Sequence, residues 1–242
     1  MKIKYIWLLL LFVGLVACDD DNDTITLPET VQLTAGSADF STYVSIGNSL
    51  TAGFSDGALF KASQENSFPN ILSQKFAYVG GGSFTQPLMN DNFGGISVGG
   101  NRILQPRLVT LGGPPLPLES VIGPVTVTTD LAVNNPTGPF NNMGVPGAAS
   151  FHLIYDGYGS MANLGTTANP YFIRMASASN ATVLGDALAQ APSFVSLWIG
   201  NNDVLGYATS GGSTGAITPQ GTFDFSISTI MGALQQANVQ GV

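Results

Sequence analysis

Three polar clusters hold the groups of this sequence that could do chemistry. Gly47-Asn48-Ser49-Leu50-Thr51-Ala52-Gly53 supplies a hydroxyl, Asn142-Met143-Gly144-Val145-Pro146-Gly147 supplies backbone with little side chain in the way, and Gly200-Asn201-Asn202-Asp203 supplies carboxamides. A serine hydroxyl with backbone N–H groups close by suits nucleophilic attack on a carbonyl, because the donors can face the oxyanion as it develops. On that chemistry Ser49 is the candidate nucleophile and Asn202 the side-chain donor. Gly144, lacking a side chain, is the residue that lets a third N–H approach closely. Taken singly, each cluster also reads as ordinary turn, loop or helix-cap composition. No His, Asp and Glu cluster has metal-ligand spacing, and neither a Gly-x-Gly-x-x-Gly after a strand nor a Gly-Lys-Ser/Thr loop is present, so no metal and no nucleotide cofactor is assigned.

The elements that must position these groups are legible from periodicity. Phe40 to Ile46 alternates β-branched and aromatic residues and ends at Gly47, which predicts the first strand. Phe68, Ile71, Leu72, Lys75 and Phe76 fall at helical spacing behind Ser67 as candidate cap, with Pro69 in the first turn. Ala181, Leu184, Leu188 and Ala191 mark one face of a helix that Pro192 ends, and Ser193 to Ile199 follows as a buried strand in which Phe194, Leu197 and Trp198 are expected to be sheet core. Phe223, Ile227, Ile230, Leu234 and Ala237 mark a last amphipathic helix. Alternating strands and helices predict a parallel α/β sheet. The first and third polar clusters directly follow strands, so both are expected at the carboxyl rim of that sheet, where open parallel sheets bind ligands. All three clusters are expected in turns or loops.

Between residues 80 and 140 the pattern breaks. Gly80-Gly81-Gly82, Gly94-Gly95, Gly99-Gly100 and Gly112-Gly113-Pro114-Pro115 punctuate short apolar pieces, which predicts an irregular or β-rich insertion, either a lid or a solvated excursion. Charged residues make up only 9% of the 242 residues while hydrophobic ones reach 44%, so a sizeable core is available and the polar surface rests on Ser, Thr, Asn and Gly. A net charge of −8 without a basic stripe argues against nucleic-acid binding, which needs cations to displace phosphate counterions.

The N-terminus reads as processing information. Lys2 and Lys4 precede thirteen uncharged residues, Tyr5 to Ala17, too few for a spanning helix of about 20. The ending Leu15-Val16-Ala17-Cys18 resembles the lipobox of bacterial lipoproteins, which implies that residues 1–17 are a signal peptide and that Cys18 is lipidated and anchors the chain to a membrane of the cell envelope. Residues 18–38 are then a lipidated Cys and an acidic tether, and residues 39–242 the domain. Removal of residues 1–17 leaves 5 basic against 15 acidic residues and no cysteine beyond Cys18, so the domain folds without disulfides or Cys-based metal sites.

In their order along the chain the three clusters resemble the first three sequence blocks of the SGNH/GDSL hydrolases, esterases and lipases acting on ester bonds. That resemblance spans roughly Phe40 to Val242. It implies a flavodoxin-like three-layer α/β/α fold, Ser49 as nucleophile, and an oxyanion hole formed by the Ser49 N–H, the Gly144 N–H and the Asn202 side chain. The nucleophile elbow Gly-x-Ser-x-Gly of the α/β-hydrolases is absent around Ser49. Two departures stand out. Gly-Asn-Ser-Leu replaces the family's Gly-Asp-Ser-Leu, and the Asp-x-x-His block that carries the general base has no match, since the only histidine, His152, has Ala149 three places before it. His152 is read as a loop or pocket histidine, Asp203 as a support for its loop, and the chain as an N-terminal portion, incomplete at the C-terminus, that is nearly inert alone. The competing expectation is a surface lipoprotein that binds glycans or partner proteins without catalysis.

Overall fold

A computed structural model describes residues 33–239, and the candidate anchor Cys18 lies outside them. From Thr34 onward the chain forms one compact unit. In chain order its elements are β1 (Tyr43–Gly47), α1 (Ser49–Ala52), α2 (Lys61–Glu65), α3 (Phe68–Phe76), β2 (Ile96–Val98), β3 (Asn101–Leu104), β4 (Leu108–Val109), β5 (Leu116–Pro117), α4 (Leu118–Ile122), β6 (Asn142–Gly144), α5 (Pro170–Ile173), α6 (Val183–Leu188), β7 (Phe194–Trp198), α7 (Asn202–Thr209) and α8 (Gln220–Gln236). None of the helices is long and apolar enough to cross a membrane among the described residues.

The expected parallel α/β sheet is present, with three strands in the order β6-β1-β7. β1 is central, and Gly47 at its carboxyl end lies in register with Gly144 of β6 and Trp198 of β7. The chain leaves β1 for one neighbour and later returns to the other, so the carboxyl end of β1 is the point where the winding reverses. Crevices for ligands open at such points.

Period-2 alternation divides β1 between two environments. Val44 and Ile46 enter the core with Val195, with Val183, Leu184 and Ala187 of α6, and with Ile230 and Leu234 of α8. Tyr43 turns the other way, with its ring edge-on to Phe76 of α3 at 5.0 Å between centroids. On that face the Tyr43 hydroxyl bonds Ser196 at 2.7 Å and the Ser196 hydroxyl donates to Ser45 at 2.8 Å, so the buried hydroxyls satisfy one another.

Sequence expectations change here. None of the three polar clusters is wholly turn or loop: Ser49–Ala52 of the first is helix α1, Asn142–Gly144 of the second is strand β6, and Asn202 and Asp203 of the third open helix α7. Asn and Gly have poor strand propensity, and pairing with β1 together with complete burial overrides it. Trp198 is not core. It is 50% exposed, because it stands at the last position of β7 where α3 has only its first residue, Phe68, to cover it.

The insertion is irregular and β-rich, as its glycines suggest. It carries two small antiparallel pairs, β2–β3 and β4–β5. Its anchor is the Asp130 carboxylate, which accepts the N–H groups of Gly100 at 2.7 Å, Ala132 at 2.8 Å and Gly99 at 2.9 Å, and the Ser97 hydroxyl at 3.1 Å. These bonds, led by Gly100, favour the charged form and hold the Asp130 pKa down at about 2. A depressed carboxylate pKa stabilises the fold fully above the unfolded value near about 3.9 and loses that contribution as pH falls through the folded value. Asp130→Asn is therefore expected to flatten the decline of melting temperature between about pH 4 and the folded value of about 2. An acid limb identical to that of the parent chain would contradict this bonding.

Candidate active site

Ser49 is the first residue of α1, two positions beyond the end of β1. Asn48 caps the helix by accepting the Leu50 N–H at 3.3 Å, and Gly53 closes it. The helix rests directly on the ends of the strands. A Cβ on Gly144 would lie 2.3 Å from the Ala52 nitrogen, and one on Gly47 would lie 2.6 Å from the Trp198 carbonyl oxygen, so both positions exclude a side chain. Ser49 is half-buried, and neither its hydroxyl nor its N–H has a hydrogen-bond partner among the described residues.

Asn202 opens α7, four residues beyond the end of β7. Its side-chain nitrogen donates one hydrogen to the Ala148 carbonyl at 2.8 Å, which orients the amide and leaves the second hydrogen for another acceptor. Asp203 is buried and accepts from the Ser150 N–H at 2.8 Å and the Ser150 hydroxyl at 2.7 Å. It ties the third cluster to Ser150, three residues beyond the end of the second, in keeping with the supporting role read from the sequence. A direct contact also joins the first cluster to the third, since the Asn48 side-chain nitrogen donates to the Asn201 side-chain oxygen.

Gly144 does not offer a free donor. Its N–H bonds the Asn142 side-chain oxygen at 3.0 Å, while the Asn142 nitrogen reaches the Thr51 carbonyl at 2.9 Å. This corrects the assignment of Gly144 as donor: its bareness serves close packing of β6 against α1. The donor left open is three residues on. Val145-Pro146-Gly147-Ala148 makes a turn closed by the Ala148 N–H on the Val145 carbonyl at 3.1 Å, with Gly147 at φ +83°. Pro followed by a residue with positive φ marks a type II turn, whose own bond does not use the Gly N–H. Gly147 is exposed, and its N–H has no partner among the described residues. The Pro-Gly pair was the sequence signal for it.

Comparison with known proteins returns no matching family model, no matching curated protein and no matching solved structure. The chemistry therefore has to be read from the rim itself. There the segments that follow β1, β6 and β7 carry a hydroxyl and an uncommitted backbone N–H at Ser49, an uncommitted N–H at Gly147 and one uncommitted amide hydrogen of Asn202, each beyond the carboxyl end of its strand. Such a set can attack a carbonyl and stabilise the resulting oxyanion.

His152 makes no hydrogen bond to Ser49 among the described residues. Its Nδ1 accepts the Ala149 N–H at 3.0 Å, and its ring stacks on Tyr158 with centroids 4.5 Å apart and planes 11° apart. Burial pushes its pKa below the ordinary histidine value, with the nearby Asp203 charge acting the other way. A general base must be within hydrogen-bond reach of the proton that it takes.

An open cavity of about 560 Å³ adjoins the helix of Ser49, walled by Leu50, Phe54, Phe68 and Trp198 with Ser55 and Ser67 at its border. A larger one, about 820 Å³, lies between the strap Asn135–Phe140 and α6. Neither cavity is lined by Ser49, Gly147 or Asn202.

Proposed function

We propose that this chain carries the nucleophile and oxyanion half of a serine hydrolase that cleaves carboxylic esters through an acyl-Ser49 intermediate. The observation that carries this reading is the meeting of the three clusters at the rim where the sheet winding reverses, with Asn48 bonded to Asn201 and Ala52 seated on Gly144. Ser49 attacks the ester carbonyl. The N–H groups of Ser49 and Gly147 and the Asn202 amide receive the negative charge, each such donor contributing about 10²–10³-fold in kcat when preorganised.

In this proposal the domain is an SGNH/GDSL-type esterase or lipase with the flavodoxin-like arrangement, and the parallel sheet carrying α3 against Tyr43 and α6 and α8 against the Val44–Ile46 side supports it. The general base comes from outside the described residues. The lipobox-like Leu15 to Cys18 would tether the enzyme to the cell envelope, with an ester of a lipid or of an acylated carbohydrate as substrate.

A fluorophosphonate, which reports an activated serine, tests this directly. Incubated with the full chain in the presence of imidazole as base, it is expected to leave its adduct on Ser49 by peptide mass mapping, and Ser49→Ala is expected to remove it. A chain that melts cooperatively yet never gains the adduct favours the non-catalytic lipoprotein that binds glycans or partner proteins.

A further inference from the structure

Asn48 has a completely buried side chain, and it is spent on two bonds: its oxygen accepts the Leu50 N–H at 3.3 Å and its nitrogen donates to the Asn201 side-chain oxygen. The two asparagines are 153 residues apart in sequence. Each immediately precedes a residue of the proposed chemistry, Asn48 before Ser49 and Asn201 before Asn202. Both sit where a strand has ended, so backbone pairing no longer holds the two turns together. Gly47 pairs with Trp198 as the last rung, and Ser49 and Asn202 lie beyond it. The amide pair is the next direct link between the two turns.

We infer that Asn48 and Asn201 form a positioning clamp that sets the separation of the Ser49 hydroxyl from the Asn202 amide. The inference rests on the hydrolase reading above. Its logic is one of hydrogen-bond polarity. The contact needs one donor and one acceptor, and a carboxamide carries both whereas a carboxylate only accepts. Asparagine at position 48 can donate across the turn while still capping α1 through its oxygen. Aspartate at position 201 still accepts from Asn48. Alanine at position 201 leaves the buried Asn48 nitrogen without its partner. Aspartate at both positions sets two carboxylates face to face, a contact that re-forms only when one proton is shared between them.

The other charged and titratable groups near the pair do not substitute for that proton. Asp203 is already engaged by Ser150, and His152 is held on the Ala149 N–H and against Tyr158.

The test is the rate of Ser49 labelling by the fluorophosphonate in the full chain, measured from about pH 5 to 8, with melting curves to establish that each variant is folded. Asn201→Ala is expected to slow labelling about tenfold or more, since an ångström of misplacement at a reacting centre can cost up to about a hundredfold. Asn201→Asp is expected to restore it. The double variant Asn48→Asp with Asn201→Asp is expected to label slowly at pH 8, and its rate relative to the parent chain is expected to climb back towards one at about pH 5, where a carboxylate pair takes up a shared proton.

A folded Asn201→Ala chain that labels at the parent rate overturns the clamp, as does a failure of Asn201→Asp to rescue. A double variant that tracks the parent chain at every pH overturns it as well. If the double variant does not fold at pH 8, the alanine loss and aspartate rescue at position 201 decide alone. A parent chain that never labels at Ser49 overturns the hydrolase reading, and the clamp with it, which is a different result from labelling that ignores Asn201.

Discussion

Imidazole added to the full 242-residue chain is expected to raise its Ser49-dependent hydrolysis of a p-nitrophenyl ester by about a hundredfold or more. The Ser49 hydroxyl has no hydrogen-bond partner among the described residues, and the single histidine is held elsewhere by Ala149 and Tyr158. A serine hydroxyl is a weak nucleophile until a base takes its proton. Nucleophile and base act as a unit, and loss of either costs on the order of 10⁶ in kcat with little further loss when both are gone. Without imidazole, Ser49→Ala is accordingly expected to change the slow residual rate by less than about tenfold. With imidazole, the same substitution is expected to remove the whole gain. The measurement is the initial rate against imidazole concentration, corrected by the rate that imidazole gives with Ser49→Ala. Fast turnover without added base, lost in Ser49→Ala, would mean that a base lies within these residues, and His152→Ala would then be the first variant to make.

Gly144→Ala is expected to destabilise the fold by about 1–3 kcal/mol or more, the usual cost of forcing a methyl group into a packed interior. The added carbon would lie 2.3 Å from the Ala52 nitrogen, 2.7 Å from the Ala52 α-carbon and 2.7 Å from the Thr51 carbonyl carbon. All three are backbone atoms, so nothing can rotate aside, and α1 would have to move off β6 and take Ser49 with it. Melting temperature is the readout, with a fall of roughly 2–4 °C expected for each kcal/mol in a chain of this size. Gly147→Ala provides the contrast. The nearest atom to its added carbon is the Asn169 side-chain nitrogen at 3.9 Å, so space is free and the cost is the left-handed backbone alone, about 1–2 kcal/mol. An unchanged melting temperature in Gly144→Ala would show that α1 does not lie against β6.

The two substitutions separate what a glycine can do at such a rim. The reading of Gly144 as donor assumed that a missing side chain exposes an N–H. In the fold its missing side chain admits a helix, while its N–H is consumed by the side chain of Asn142 two residues before it. Gly147 carries the exposed N–H because the turn that it completes uses the neighbouring Ala148 N–H instead.

Much of the architecture could be read before folding. The helix expected around Phe68 to Phe76 is α3, the helix between Ala181 and Ala191 contains α6, Ser193 to Ile199 contains β7, and the last amphipathic stretch is α8. These patterns repeat with periods of 3.6 and 2, which are properties of a few neighbouring residues and need no distant partner. β6 escaped the same reasoning. At three residues it is too short to show a period, and only its pairing with β1 makes it a strand. Trp198 likewise lies within a strand that was correctly expected, yet its exposure depends on where α3 begins.

By itself the sequence determined the three polar clusters, their order, and the strands and helices that deliver two of them to the rim, because periodicity and turn chemistry act over short stretches of chain. Tertiary structure alone decided which N–H groups remain uncommitted, that Asn48 meets Asn201, and that His152 is engaged by the Ala149 N–H and the Tyr158 ring. The Asn48–Asn201 bond joins residues 153 apart in sequence, and the others turn on which of several neighbouring groups takes each donor or acceptor; a donor's availability is known only after every nearby acceptor has taken its place.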